Sequence, residues 1–165
     1  MTVNKFIRKL LNLKGLFVTN YQFKIRDKVL NLWVKPHKNG CLCPYCKRRG
    51  HILLIADTAR KWEDLPVCGW SVFFWYCPRI IICPTHGRVQ EDIPWADAYA
   101  RITYRFEYIM LVYCQLMTQK AAAKILHIPK STLSDLLHRT INRIRDGHRI
   151  RGLKSIGIDE ISYCK

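Results

Sequence analysis

Cys83-Pro84-Thr85-His86-Gly87, read together with Cys43-Pro44-Tyr45-Cys46, decides how this chain folds. Each stretch sets two ligand-type side chains two residues apart around a proline, so that both reach one ion from a single tight turn. Cys43, Cys46, Cys83 and His86 then make a Cys3His set for one tetrahedral Zn²⁺. Cys77 lies close before Cys83 and competes with His86 for the fourth position. Cys41 falls on the other face if its segment is extended, and Cys68, Cys114 and Cys164 read as small buried apolar residues. No HExxH-like arrangement supplies an open metal position and a base, so the ion is expected to be structural.

Around the knuckles the chain has strand character. Val29–Val34 alternates and is closed by Pro36, and Ile52–Ile55 is a second strand candidate. Lys61–Leu65 and Ser71–Tyr76 flank a Pro-Val-Cys-Gly turn and read as a hairpin that carries one knuckle to the other. Ahead of them, Phe6, Ile7, Leu10, Leu11 and Leu13 recur at helical spacing. Beyond Pro94 helical periodicity takes over in Tyr104–Met117, Gln119–Leu126 and Ser131–Ile144, and strand character returns after Ser155. The expected fold is α+β, with a basic helix and strand region (1–40), a β-rich zinc-binding finger with a hairpin (41–93), an all-α domain (94–150) and one terminal strand (151–165).

Composition narrows the function. The 165 residues are 49% hydrophobic, enough for a packed core, and carry 28 basic against 12 acidic side chains, a net charge of +16. Such a charge repels itself unless a polyanion neutralises it, and double-stranded DNA is the expected partner. Residues 1–50 hold 12 basic side chains and 1 acidic, residues 51–100 hold 4 and 6, and residues 101–165 hold 12 and 5. No apolar run approaches the roughly 18 residues of a membrane span, and Arg8, Lys9 and Lys14 interrupt the start of the chain before a secretory core forms. A cytoplasmic protein with reduced thiols and no membrane partner is expected.

Ala121 to Leu137 reads as a helix-turn-helix. Ala123 is small where two helices cross, Leu126, Ile128, Leu133 and Leu136 form a shared core, and Pro129 with Ser131 starts the second helix. His127 occupies the turn position that favours a left-handed backbone. This register leaves Lys130, Ser131, Ser134 and His138 towards base edges in a major groove and Arg139 and Arg143 towards phosphates.

The order of CPYC knuckle, Trp62-Glu63-Asp64-Leu65-Pro66 hairpin, CPTHG knuckle, Val89–Ala96, helix-turn-helix and Ile156-Gly157-Ile158-Asp159-Glu160 resembles the N-terminal half of bacterial ISL3 insertion-sequence transposases. The resemblance implies end recognition by the finger and the helix-turn-helix, with transposon terminal inverted repeats as the DNA. It also implies that Asp159 is the first acid of a DDE triad on an RNase-H-like sheet, whose complete form holds two Mg²⁺ ions for phosphodiester cleavage and strand transfer. Six residues follow Asp159, so the expectation is a truncated transposase that binds DNA without cutting it, alone, as a homo-oligomer or with a full-length transposase. Two alternatives stand beside it: one part of an active enzyme completed by frameshifting or a second chain, and a zinc-dependent transcriptional regulator or RNA-binding module.

Overall fold

A computed structural model describes residues 2–36, 41–97 and 99–147. They form α1 (Val3–Leu10), β1 (Leu16–Lys24), β2 (Val29–Pro36), β3 (His51–Ile55), β4 (Arg60–Val67), β5 (Trp70–Tyr76), β6 (Arg79–Cys83), β7 (Gly87–Gln90), α2 (Tyr104–Leu116), α3 (Gln119–Ile125) and α4 (Lys130–Gly147). The expected mixture of α and β structure is present. None of the described helices is long and apolar enough to cross a membrane. The stretch 151–165, with Asp159, lies outside the described residues.

The chain folds as two compact units, Met1–Leu116 and Met117–Lys165. In the first, α1 buries Ile7, and its end is closed by a left-handed Asn12 that lets the Leu13 N–H reach the Arg8 carbonyl. Leu11 and Leu13 follow into the core. A four-stranded sheet runs in the order β1-β2-β5-β4, with β2 and β5 parallel and the outer pairs antiparallel. Strand alternation sends Leu30, Leu32 and Val34 of β2, Val72, Phe74 and Tyr76 of β5 and Trp62 of β4 into one core. Trp95 closes it, its ring edge-on to Trp62, Phe74 and Tyr76 at 5.5–6.3 Å between centroids.

The β4–β5 hairpin forms where expected, on a Cys68-Gly69 turn with both residues at positive φ, 51° and 76°. It does not belong to the finger. Its buried alternation matches that of β2, so it pairs there and interleaves the expected 1–40 and 41–93 segments in one sheet. The other strands of the expected finger form a separate three-stranded sheet, β3-β6-β7. Its strand β3 is an edge, and Ile52, Leu53, Leu54 and Ile55 are all exposed.

The boundary expected near residues 90–98 falls later, between Leu116 and Met117. Of two buried carboxylates, Asp64 accounts for this. Glu91 accepts from the Arg79 guanidinium on both oxygens at 2.5–2.9 Å, from the Arg79 backbone N–H at 2.8 Å and from the Tyr76 hydroxyl at 2.6 Å, joining the two sheets. Burial, and then the hydrogen bond to Glu91, pushes the Tyr76 phenol far above its ordinary pKa. Asp64 of β4 accepts from the Thr103 hydroxyl at 2.7 Å and, in a two-pronged ion pair, from Arg105 in the first turn of α2. Arg105 also donates to the Leu11 carbonyl at 2.5 Å, so α2 is bonded to both β4 and the end of α1.

Removing one partner of a buried ion pair strands the other, at a cost of about 3–5 kcal/mol. Glu91→Ala and Asp64→Ala should therefore each lower the melting temperature by roughly 10 °C or more in a circular dichroism melt. Lys47→Ala, which breaks the exposed Lys47–Asp92 pair, should move it by no more than a few degrees.

Candidate metal centre and nucleic-acid interface

The two knuckles are built alike. In the first, the Cys43 N–H donates to the Arg48 carbonyl at 2.8 Å and the Lys47 N–H to the Cys43 carbonyl at 2.9 Å, with Lys47 left-handed at φ 55°. In the second, Gly87 is left-handed at φ 65° and pairs with Cys83 across the β6–β7 turn. Each knuckle thus ends in a positive-φ residue directly after its second ligand-type side chain. Gly50 brings the two together. A Cβ there would lie 2.8 Å from Ile81 Cδ1 and 3.0 Å from the Ile82 carbonyl, so only glycine lets the first knuckle lie against β6.

The ligand atoms of Cys43, Cys46, Cys83 and His86 all lie within 4.8 Å of one another. His86 Nδ1 is 3.7 Å from both Cys43 Sγ and Cys83 Sγ, and Cys46 Sγ is 3.5 Å from Cys83 Sγ. A tetrahedral ion with bonds of about 2.0–2.3 Å sets its donors roughly 3.5–3.8 Å apart, so the spacing fits. It does not fit a disulfide, whose sulfurs sit about 2.05 Å apart. Hydrogen bonding to the His86 ring draws the Cys83 thiol down to about 6 against the opposing effect of burial. A thiolate, the form that binds metal, is favoured there. Cys77, the competitor for the fourth position, is not one of the convergent set, and His86 is. Cys41 is buried beside the set without joining it.

The second unit contains the expected two helices. The Thr118 hydroxyl caps α3 by accepting from the Ala121 N–H at 3.3 Å, and α3 turns its buried Ala122 and Ala123 inward. The turn closes on His127 at φ 55°. There the His127 N–H reaches the Lys124 carbonyl and the Ile128 N–H the Ala123 carbonyl, a paired cap that satisfies the end of α3 with histidine in the place glycine usually takes. The Pro129 carbonyl accepts the first bond of α4, from Leu133. Leu126, Leu133, Leu136 and Leu137 are buried. Lys130, Ser131, His138, Arg139 and Arg143 are exposed, and Ser134 is half-buried.

The sequence reading did not single out the outer face of the four-stranded sheet, where Trp33, Phe73 and Trp75 lie together. The signal was the same alternation that located the core: Leu30, Leu32 and Val34 turn inward, so Asn31, Trp33 and Lys35 turn outward.

Residues 91–141 match the helix-turn-helix domain of transposase family ISL3. The helix-turn-helix of this chain belongs to the ISL3 transposase family. Similarity extends beyond it. The chain is 30% identical over 125 residues to the transposase for insertion sequence element IS1557 of Mycobacterium tuberculosis, in strain CDC 1551 / Oshkosh and in strain H37Rv alike. The aligned part is 73% of this chain and 28% of each relative, so the chain spans a little over a quarter of the length of the curated relatives it matches. No solved structure matches it. The ISL3 helix-turn-helix begins at residue 91 in sequence, yet its stretch 91–116 folds within the first unit.

Forcing three extra heavy atoms into a packed helix contact costs about 1–3 kcal/mol. Ala122→Leu, at a position with no exposed surface, should therefore loosen α3 and α4 and speed amide exchange in both. His127→Gly, which removes the side-chain cost of positive φ, should leave that exchange unchanged or slow it.

Proposed function

We propose that these 165 residues are the DNA-recognition part of an insertion-sequence transposase, with transposon terminal inverted repeats as target. The observation that carries this reading is the ISL3 helix-turn-helix, with an exposed polar and basic face on α4 in a chain of net charge +16. Lys130, Ser131, Ser134 and His138, from the N-terminal half of α4, approach base edges in the major groove. Arg139 and Arg143 neutralise phosphates.

The Cys/His set holds one structural Zn²⁺, the ion that best suits three thiolates and an imidazole in tetrahedral array. It supplies no chemistry to DNA. It fixes the two knuckles and presents the basic loop Lys47-Arg48-Arg49 from a rigid support. Among the described residues, no other group of three or more ligand-capable side chains is close enough to share an ion. The buried carboxylates Asp64 and Glu91 are already held by arginines. A two-metal phosphoryl-transfer centre needs clustered carboxylates, and in this reading the polypeptide binds DNA ends without cutting them. As a DNA-end binder it functions in the cytoplasm, singly, as a homo-oligomer or alongside a full-length transposase.

Binding measurements test the α4 register. Lys130→Ala or Ser134→Ala should change the preferred sequence. Arg143→Ala should weaken binding to every duplex and flatten the salt dependence by about one unit of slope. Equal losses on specific and random DNA for the first two variants would reject the register. Catalysis is tested separately, by incubating the protein with Mg²⁺ or Mn²⁺ and DNA carrying the element's ends, where a complex without nicks or joints is expected. Cleavage that disappears in Asp159→Ala would show instead that a second copy completes a catalytic site.

A further inference from the structure

The outer face of the four-stranded sheet is not accounted for by the helix-turn-helix or the metal centre. In the register of β2 and β5, Asn31 lies beside Phe73 and Trp33 beside Trp75, and Lys61 of β4 lies across from Trp75. The Trp33 and Trp75 rings are nearly parallel, 19° apart with centroids at 6.3 Å. Trp75 is fixed in place, its indole N–H donating to the Asn31 side-chain oxygen at 2.8 Å. Lys61 places its ammonium 3.7 Å from the centre of the Phe73 ring and 6.0 Å from that of Trp75. These rings floor an open groove of about 250 Å³, edged by Gln22, Lys24 and Lys61.

A packed core does not use this arrangement, because the buried side of the same strands is supplied by Leu32, Val72 and Phe74. Three flat rings side by side, half-exposed and held by a hydrogen bond and an ammonium, form a surface complementary to other flat rings. The charge around them selects which. Lys24 and Lys61 line the groove with one carboxylate, Asp27, and Arg26 and Lys28 stand on either side of Asp27 in the turn between β1 and β2. Glu63, across from Phe73, is the second carboxylate on the face. Burial raises its pKa and Lys61 opposes that rise.

We propose that this face binds unpaired bases of a nucleic-acid single strand, stacked on Trp33, Phe73 and Trp75, with the backbone phosphates taken by Lys24 and Lys61. Stacking is open to any base, because every base has a π face, so the site tolerates many sequences. It is distinct from the duplex reading assigned to α4 and does not depend on it. Gln22, at the groove edge, offers an amide to base edges.

The test uses the full chain and a labelled oligothymidine of about ten nucleotides, followed by fluorescence anisotropy, with the same length of oligouridine as a second arm. Binding should quench tryptophan emission. Trp75→Ala should weaken oligothymidine binding about tenfold or more, as loss of one stacked base does. Trp33→Phe should stay within about threefold of the parent, and Lys61→Glu, which keeps the Trp75–Asn31 hydrogen bond, should weaken binding and its salt dependence together. Duplex affinity should be unchanged in all three, which separates this site from α4. Equal binding of the two oligonucleotides identifies base and phosphate as the shared recognition chemistry, and a preference identifies the strand type. If Trp75→Ala does not fold, Trp33→Ala, which removes the neighbouring ring, and Lys61→Glu decide. Unchanged oligothymidine binding in a folded Trp75→Ala, in Trp33→Ala or in Lys61→Glu would overturn the proposal.

Discussion

Four soft donor groups converge where this structure has almost no apolar core. The three-stranded sheet buries Ile81 with Cys41, Cys43 and Cys83, and packs Cys46 and Val89 partly against them. One fully buried branched residue cannot stabilise three short strands. There Cys43, Cys46, Cys83 and His86 converge within 4.8 Å, with each knuckle shaped by a left-handed residue and Gly50 allowing the first to lie on β6, and in the proposed reading an ion bound between them holds the strands. In structural zinc sites the metal supplies folding free energy directly, on the order of 10 kcal/mol. The rest of the first unit leans on that sheet through the buried Glu91, which is bonded to Arg79 at the head of β6 and to Tyr76 at the end of β5.

The second carboxylate clamp has a consequence for how the recognition domain is built. Arg105 sits in the first turn of α2, yet its partners are Asp64 on β4 and the Leu11 carbonyl after α1. The family's helix-turn-helix, contiguous in sequence from residue 91 to 141, is therefore split between two compact units. Damage to the sheet at Asp64 or Glu91 reaches the start of that domain directly.

Much of this was legible in the residues, and where it was not the cause is physical. Knuckle spacing located the Cys/His set because two residues between ligands leave few geometries. His127 marked the turn because few side chains tolerate positive φ. The hairpin's two strands were evident from alternation, but alternation says which face is buried and not against what. The hairpin was therefore assigned to the finger, although Val72, Phe74 and Tyr76 pack in register with Leu30, Leu32 and Val34. The unit boundary was misplaced for a related reason. A change from strand to helix character after Pro94 is a local signal, while Asp64–Arg105 is a contact between residues far apart in the chain. Ile52–Ile55 reads as a strand for a core and lies exposed at an edge, which apolar content alone does not distinguish.

In the proposed centre one metal ion joins the two knuckles through three thiolates and the His86 imidazole. Substituting Co²⁺ into metal-free protein and recording its visible absorption tests this most directly, because the spectrum reports coordination number and the count of thiolates together. One Co²⁺ per chain is expected in a tetrahedral site with thiolate-to-metal charge transfer, displaced by one equivalent of Zn²⁺. The spectrum should change in His86→Ala and stay unchanged in Cys77→Ala. Absence of stoichiometric binding, or loss of the tetrahedral spectrum in Cys77→Ala with retention in His86→Ala, would contradict the proposed centre.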